Sequence, residues 1–269
     1  HNSTRRRKIV SLEKFQNMNK KAFITGATSG IGRASAQIFA DNKIDLIICG
    51  RRSERLALLE KELNKKVNIK SLCFDVSDRN ETMDAINSLP DNWKPIDFLI
   101  NNAGNAHGLS LSQDANLDDW EKMLDINVKG VMYVTKALLP FMLERGKGHI
   151  VNISSIAGKE VYLKGNAYCA SKHALSAFSD GLRLDLNGTG IKVSSINPGA
   201  VNTEFSEVRF KGDKTKAENV YEGFEPLVAE DIAELIYFIV SRPAHVTISD
   251  STILPTAQAS ASLIHRKNG

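Results

Sequence analysis

A tyrosine and a lysine four residues apart, Tyr168 and Lys172, form the pair of side chains best suited to chemistry in this sequence. They fall in a stretch with helical periodicity, where residues i and i+4 share one face. A tyrosine with its ordinary pKa of about 10 transfers protons poorly at neutral pH. A positive charge about 4 Å away would lower that pKa by about three units at an effective dielectric constant of about 20. The spacing therefore predicts a general acid or base, although such a pair alone is also common on helix surfaces.

A glycine-rich turn offers a second site, suited to phosphate groups. It follows an apolar, strand-like run, opens a helical stretch, and has the spacing G-x-x-x-G-x-G. Glycines let the backbone approach a pyrophosphate closely, and a helix N-terminus presents free N–H groups and partial positive charge. This strand–turn–helix context favours a dinucleotide site over a glycine loop that binds nothing. The residues predicted to contact the cofactor here are Gly26, Thr28, Ser29, Gly30, Ile31 and Gly32.

Two arginines, Arg51 and Arg52, follow the second strand-like run, where dinucleotide-binding folds select their nucleotide. An acid at this point favours NAD, whereas arginine favours the 2′-phosphate of NADP. Asp45 precedes the apolar run and so belongs to the opposite end of the strand. Because two guanidiniums can hold one phosphate through charge-assisted hydrogen bonds, we predict NADP(H) as the cofactor. The alternative is a pair of solvated arginines at a helix start.

Strand-like and helical runs alternate along the chain from Lys21 to about Ser195. The pattern predicts an α/β fold, a Rossmann-type doubly wound parallel sheet in a single domain. The predicted strands are 22–25, 46–49, 70–74, 96–101, 149–153, 192–196 and 247–253. The predicted helices are 31–42, 55–64, 79–88, 117–143, 168–186 and 230–241. The polar stretch 203–223 has no clear strand, and an irregular insert of this length is usually a functional lid or a mobile loop.

Positive charge is concentrated at the start of the chain. The net charge is +4, and residues 1–17 alone carry +4, because they hold five Lys and Arg residues against Glu13. The remainder balances to about zero, so no nucleic-acid-binding face is expected. We interpret residues 1–17 as a disordered tail before a plausible start at Met18, and residues 18–269 as one catalytic domain. A short basic arm that contacts membrane or nucleic acid is the alternative for the tail.

Cysteine content and hydropathy narrow the protein class further. No apolar run approaches the roughly 18–20 residues of a membrane span, so no membrane partner is expected. Three cysteines form no C-x-x-C pair, which is typical of a reducing cytoplasm. Cys49 and Cys73 lie in strand-like runs and are expected to be buried, whereas Cys169 has no neighbouring base that would make it a nucleophile. No metal site is expected.

Several motifs together resemble the short-chain dehydrogenase/reductase family. Besides the glycine-rich turn and the Tyr168/Lys172 pair, they are Asn101-Asn102-Ala103-Gly104, Asn127, Ser155 and Asn197-Pro198-Gly199. They occur in the family's order and at its usual separations over about residues 20–255. The resemblance implies an NADP-dependent oxidoreductase that transfers hydride between the nicotinamide and a CH–OH group.

The resemblance also implies a role for each matching residue. Tyr168 would exchange a proton with the substrate oxygen, and Ser155 would donate a hydrogen bond to that oxygen. Lys172 would lower the tyrosine pKa and hold the nicotinamide ribose, and Asn127 would position a water that links Lys172 to solvent. Ser155 is preferred to Ser154 because it lies thirteen residues before the tyrosine. The other implied cofactor contacts are Asp75 and Val76 at the adenine, Asn101, Ala103 and Gly104 on the cofactor floor, and Pro198, Gly199, Val201 and Thr203 around the nicotinamide carboxamide.

A closer likeness is to the NADP-dependent 3-hydroxy acid dehydrogenases, which act on serine, L-allo-threonine and 3-hydroxypropionate or malonic semialdehyde. It is carried by Asp119-Trp120-Glu121, residues 203–213 and residues 242–246. This likeness implies a homo-oligomer, a tetramer or dimer built through the two long helices. A carboxylated substrate needs a cation or backbone donors near the nicotinamide, and residues 203–213 supply Arg209 and Lys211, of which we favour Arg209. The alternative is a basic lid whose cations face solvent. The alternatives are a general carbonyl or 3-oxoacyl carrier-protein reductase of the same family, and a non-catalytic NADP-sensing regulator.

Overall fold

Seven strands form the sheet of the structure, a computed structural model that describes residues 19–267. They are β1 (Lys21–Thr25), β2 (Asp45–Gly50), β3 (Ile69–Cys73), β4 (Phe98–Asn101), β5 (Gly148–Ile153), β6 (Ile191–Pro198) and β7 (Asp250–Ile253). All neighbours pair in parallel, in the order β3-β2-β1-β4-β5-β6-β7. The strand order reverses between β1 and β4, and this reversal opens a crevice at the carboxyl ends of the strands.

Helices cover both faces of this sheet. They are α1 (Gly30–Asp41), α2 (Ser53–Leu63), α3 (Arg79–Asn87), α4 (Leu117–Leu124), α5 (Val131–Arg145), α6 (Asn166–Asp185), α7 (Phe205–Arg209), α8 (Lys214–Asn219) and α9 (Ala229–Val240). Ala22 and Ile24 of β1 pack on one face with α1, α2 and α9, whereas Phe23 packs on the other with α3, α5 and α6. Both faces are therefore buried, as is usual for parallel strands. The predicted single-domain, doubly wound α/β fold is confirmed.

The structure differs from the predicted elements in three places. The last strand is shorter than predicted, and residues 203–223 contain the short helices α7 and α8 instead of being wholly irregular. Cys49 is buried as predicted, but Cys73 is exposed. Cys73 lies on β3, an edge strand paired only with β2, so its surroundings remain open. The predicted tail, residues 1–17, lies outside the described residues.

The helical segment from Leu117 to Arg145 is long and apolar enough to cross a membrane by length and composition. It joins α4 and α5 through a π-helical turn, Asp125–Gly130. Within its most apolar window, 44% is buried inside the protein. Met123, Val134 and Met142 are buried side chains of the core. The burial of these side chains indicates a core helix of the α/β domain.

Candidate active site

A cleft of about 330 Å³ lies at the carboxyl ends of the strands and brings most of the predicted site residues together. The predicted residues that line it are Gly26, Thr28, Ser29, Gly30, Ile31, Arg51, Arg52, Asp75, Val76, Ala103, Gly104, Ser155, Tyr168, Lys172, Pro198, Gly199, Val201 and Thr203. Four further predicted residues, Gly32, Asn101, Asn127 and Arg209, lie outside this lining. The cleft thus joins the predicted phosphate site to the predicted proton-transfer residues.

The glycine-rich turn has the backbone shape that a pyrophosphate requires. Gly26 and Gly30 have φ angles of +64° and +49°, in the region that favours glycine. A Cβ on Gly32 would lie 2.3 Å from the carbonyl oxygen of Gly26, so this residue shapes the turn without lining the cleft. Ser29 is the N-cap of α1 but makes no side-chain capping hydrogen bond. The first N–H groups of α1 are therefore available to an anion.

Two neighbouring asparagines support the floor of the cleft. The Asn102 amide donates to the carbonyl oxygens of Thr25 (3.0 Å) and Gly26 (3.2 Å), which fixes the start of the glycine-rich turn. Asn101 is buried beneath the cleft and donates to Thr135 Oγ1 (3.1 Å) and Asn152 Oδ1 (2.8 Å). Asn101 therefore acts as a support between β4 and β5. The sequence reasoning missed the role of Asn102, although this residue stands inside the motif that carried the resemblance.

The arginines at the end of β2 are already paired with acids. Arg51 lies 3.2 Å from Asp75, and Arg52 lies 3.2 Å from Glu204. Arg52 also donates to the hydroxyls of Thr28 and Ser29, both at 3.0 Å. Glu204 was not predicted, because it comes from the distant segment 203–223. Together the guanidinium and the two hydroxyls converge on one point of the cleft, as a phosphate site requires.

The acid that would signal NAD is absent from this end of β2. Asp45 begins the strand instead, is buried, and accepts the backbone N–H of Asn68 at 3.0 Å. Asp45 therefore lies at the amino ends of the strands, away from the cleft. The arginine-rich end of the cleft suits a 2′-phosphate.

Tyr168 lies on α6 and is buried at the other end of the cleft, with 8% of its surface exposed. Its ring centroid lies 5.7 Å from that of Phe205 and 5.1 Å from the Arg209 guanidinium carbon. Burial raises the pKa of Tyr168 above its ordinary value, while the Arg209 guanidinium and the Ser155 hydroxyl act in the opposite direction. The Ser154 hydroxyl instead faces Ser176 Oγ at 3.3 Å. Ser155 is thus the serine placed against the phenol.

Lys172 approaches the Tyr168 ring and is held by the backbone at the end of β5. Its Nζ lies 5.9 Å from the Tyr168 ring centroid and donates to the carbonyl oxygen of Ile153 at 3.0 Å. Burial lowers the pKa of this lysine to about 8. Among the charged groups around Tyr168, it is Arg209 that lowers the tyrosine pKa. The predicted role of Lys172, to lower the tyrosine pKa and to hold the nicotinamide ribose, stays a prediction.

Asn127 is fully buried in the π-helical turn between α4 and α5. Its amide donates to Asn105 O (2.8 Å) and Ser171 Oγ (3.0 Å), and its Oδ1 accepts the N–H of Asn105 at 2.8 Å. A Cβ on Gly104 would lie 3.1 Å from Asn127 Oδ1 and 3.5 Å from Lys172 Nζ. Gly104 therefore leaves the space in which these two side chains approach each other, and π turns are frequent at such functional positions.

Arg209 and Lys211 leave the segment 203–223 in different directions. Arg209 donates to the Tyr162 hydroxyl, and its guanidinium carbon lies 5.7 Å from the centroid of that ring. Its Nε is buried and has no hydrogen-bond partner among the described residues. Lys211 instead pairs with Asp119 at 2.8 Å. Of the two cations, Arg209 is the one at the tyrosine.

The chain is similar to known proteins over most of its length. A family profile described as short chain dehydrogenase matches residues 20–214. The NADP-dependent 3-hydroxy acid dehydrogenase of Salmonella typhi is 45% identical over 245 residues, which is 90% of this chain and 98% of that protein. Sulfoacetaldehyde reductase 2 of Chromohalobacter salexigens is 43% identical over 90% of this chain and 96% of that protein.

A solved structure, the closed form of a serine dehydrogenase complexed with NADP+, superposes with a TM-score of 0.86 at 43% sequence identity. The match covers 92% of this chain and 100% of that one. The relatives and the solved structure cover about nine tenths of the chain, and the profile covers residues 20–214. The chain belongs to the short-chain dehydrogenase family.

Proposed function

We propose that this chain is an NADP-dependent oxidoreductase of small 3-hydroxy acids, of the serine, L-allo-threonine or 3-hydroxypropionate/malonic semialdehyde type. The observation that carries the proposal is one continuous cleft with arginines at one end and a buried Tyr168–Ser155 pair at the other. The relatives named for NADP and for 3-hydroxy acids support the cofactor and the substrate class.

The chain's own residues fit NADP(H) along the cleft. Arg52 with the hydroxyls of Thr28 and Ser29 holds the 2′-phosphate, and Arg51 assists from the adjacent position. The glycine-rich turn and the N-terminus of α1 hold the pyrophosphate. The remaining cofactor contacts are Asp75 and Val76 at the adenine, Ala103 and Gly104 on the floor, and Pro198, Gly199, Val201 and Thr203 around the carboxamide. When bound, NADP(H) supplies or accepts the hydride.

Tyr168 moves the proton at its phenol oxygen. In the oxidative direction the deprotonated Tyr168 phenolate takes the proton of the substrate hydroxyl and becomes the phenol, and in reduction the phenol gives that proton to the substrate carbonyl oxygen. Ser155 holds the same substrate oxygen by a hydrogen bond. Lys172, with a pKa of about 8 because of its burial, gains and loses a proton near neutral pH and contacts the nicotinamide ribose. Asn127, beside it, positions the water that connects this lysine to solvent.

Arg209 supplies the cation for the acid group of the substrate. Its buried Nε is without a partner among residues 19–267, and its side chain lies against the proton-transfer tyrosine. A carboxylate three bonds from the reacting hydroxyl can reach both groups. The sulfonate of sulfoacetaldehyde, the substrate in one relative's name, carries the same charge at a similar separation.

A comparison of kcat/KM among candidate substrates distinguishes 3-hydroxy acids from the alternative substrate classes. We expect kcat/KM with NADP+ to be highest for serine, L-allo-threonine or 3-hydroxyisobutyrate. A 3-oxoacyl carrier-protein reductase would instead turn over an acetoacetyl thioester with NADPH, and a general carbonyl reductase would favour neutral carbonyl compounds. Efficient turnover of the thioester alone contradicts the proposal, and binding of NADP+ without turnover of any candidate favours a sensing regulator.

The quaternary state is part of the proposal. Leu117, Leu124, Met132 and Leu143 on α4–α5, and Leu184 on α6, are exposed apolar side chains on the helices expected to pair. Burial of such side chains between copies stabilises oligomers. We propose a cytoplasmic homo-oligomer, a tetramer or dimer, and light scattering coupled to gel filtration tests it. A monomeric mass at micromolar concentration contradicts it.

A further inference from the structure

An acidic side chain from the far part of the sequence enters the arginine-rich end of the cleft. The Glu204 carboxylate contacts Arg52 at 3.2 Å and Arg55 at 2.8 and 2.9 Å. Arg52 and Glu204 are 152 residues apart in the chain, and both line the cleft. Arg55 is a residue of α2 outside the cleft lining. Glu204 thus bridges a guanidinium inside the phosphate site and one outside it.

The two contacts of Glu204 differ in strength. Both carboxylate oxygens accept from Arg55, whereas only Oε2 accepts from Arg52, and at the longer distance. Burial alone would raise the pKa of Glu204, but its hydrogen bonds and charge pairing with Arg55 and Arg52 lower it below the ordinary value. Glu204 is therefore a carboxylate anion at neutral pH. Arg55 can keep this anion paired when Arg52 is withdrawn.

We propose that Glu204 is the built-in competitor of the cofactor's 2′-phosphate, and that it sets the NADP selectivity of the cleft. The inference rests on the proposed NADP-dependent function and adds a residue to it. A 2′-phosphate that occupies the point where Arg52, Thr28 and Ser29 converge takes Arg52 from Glu204. The carboxylate then remains on Arg55 alone.

The energy of this exchange is modest because the site is exposed. The side chains of Arg52 and Glu204 are 43% and 44% exposed, so solvent and salt screen their attraction. A phosphate dianion binds a guanidinium more strongly than a carboxylate does, so the 2′-phosphate displaces Glu204 from Arg52. Breaking the Glu204–Arg52 pair costs free energy, and this cost lowers the affinity of the cleft for NADP. NAD has a hydroxyl in place of this phosphate and leaves the Glu204–Arg52 pair intact. Glu204 therefore reduces NADP affinity without a comparable effect on NAD.

The position of Glu204 links this exchange to the catalytic end of the cleft. The preceding residue, Thr203, lies 3.3 Å from where a Cβ on Gly30 would stand. The following residue, Phe205, packs its ring 5.7 Å from that of Tyr168. Glu204 therefore stands between Thr203, which contacts the glycine-rich turn, and Phe205, which contacts Tyr168. A change in the ion pairing of Glu204 takes place between these two contacts.

The test is the affinity of Glu204→Gln for NADP+, NAD+ and adenosine 2′-monophosphate, measured by calorimetry without substrate. We expect NADP+ and the monophosphate to bind roughly two- to fivefold more tightly than to wild type, the range of an exposed ion pair, with NAD+ affinity unchanged. Glu207→Gln is the matched control, because Glu207 lies on α7, is exposed, and forms no ion pair among the described residues. It should leave all three affinities unchanged.

Arg55→Gln tests the second half of the exchange. In the wild-type background it should weaken NADP+ binding, because Glu204 then has Arg52 as its one cation. In the Glu204→Gln background the same substitution should have little effect. Unchanged or weaker NADP+ binding by Glu204→Gln overturns the competition, and an equal loss from Arg55→Gln in both backgrounds overturns the role of Arg55. Wild-type protein that does not prefer NADP+ to NAD+ contradicts the proposed function instead.

Discussion

The two ends of the cleft are built on opposite electrostatic principles. At the nucleotide end, Arg51 and Arg52 are exposed and each is paired with an acid, Asp75 or Glu204. At the catalytic end, Tyr168, Lys172 and Asn127 are buried, and burial is the largest influence on the pKa values of the first two. Solvent screens the charges at the nucleotide end, so their ion pairs are weak and can change partners. A buried charge at the catalytic end changes the free energy much more. Substitutions at the two ends should therefore differ in size and in kind.

The largest effect is expected for Tyr168→Phe at the buried end. The substitution removes one hydroxyl and keeps the ring that packs against Phe205. We predict that kcat falls by at least about a hundredfold, the lower bound for losing a general acid or base. Calorimetry should show nearly unchanged NADP+ affinity. If Tyr168→Phe keeps the wild-type kcat, Tyr168 is not the proton-transfer residue and the buried end of the cleft is not the catalytic end.

Lys172→Met should reveal what burying an ammonium group costs. The pKa of Lys172 is about 8 in the folded protein, below the ordinary lysine value of 10.5. Between these pH values the unfolded chain binds a proton that the folded chain has released, so wild-type stability rises with pH through this window. Below pH 8 the penalty is fully present. Relative to Lys172→Met, wild type should gain roughly 3 kcal/mol in free energy of unfolding from pH 7.5 to pH 10.5.

Urea unfolding of both proteins across that pH range measures this gain. A difference between wild type and Lys172→Met that does not change with pH would show that burial does not perturb the lysine. Lys192→Met offers a comparison at a less buried lysine, whose pKa is also lowered by burial.

Arg209→Met should give an intermediate effect through the tyrosine. Arg209 lowers the pKa of Tyr168 against the effect of burial, so its loss should move the rising limb of the kcat/KM profile for oxidation to higher pH. We also expect the KM for a carboxylated substrate to rise by about tenfold or more, the loss of a charge-assisted hydrogen bond. Lys211→Met, which removes a cation paired with Asp119 instead, should leave the limb in place. Equal shifts in both variants would contradict a specific role for Arg209.

The smallest effect is expected at the exposed end. Arg51→Gln should weaken NADP+ binding only a few-fold, because its exposed side chain is already engaged by Asp75. Arg52→Gln should weaken it more, since Arg52 converges with the hydroxyls of Thr28 and Ser29. Neither should change kcat at saturating cofactor. A loss of kcat comparable to that of Tyr168→Phe would mean that the two ends are not separable.

The features that could be predicted from the sequence are those that depend on local patterns along the chain. The glycine-rich turn and the four-residue spacing of Tyr168 and Lys172 are local patterns, and alternating strands and helices determine the order of elements. Asp45 was recognised as belonging to the opposite end of β2 because a strand has a direction. These inferences need no knowledge of which residues meet across the fold.

Contacts between distant parts of the chain could not be predicted in this way. Glu204 reaches Arg52 and Arg55 only after the segment 203–223 has folded over the cleft. Arg209 was named as a cation for the substrate, but its packing against both Tyr162 and Tyr168 depends on tertiary structure. The exposure of Cys73 likewise depends on β3 being an edge strand, which strand order and not local sequence decides.

The most direct test of the central claim is a crystal structure of the chain with NADP+ and a substrate 3-hydroxy acid. We predict the substrate hydroxyl within hydrogen-bonding distance of both the Tyr168 phenol oxygen and the Ser155 hydroxyl, beside the nicotinamide ring, with the 2′-phosphate on Arg52. A Tyr168 ring directed away from the nicotinamide, or a cofactor bound outside this cleft, would contradict the account.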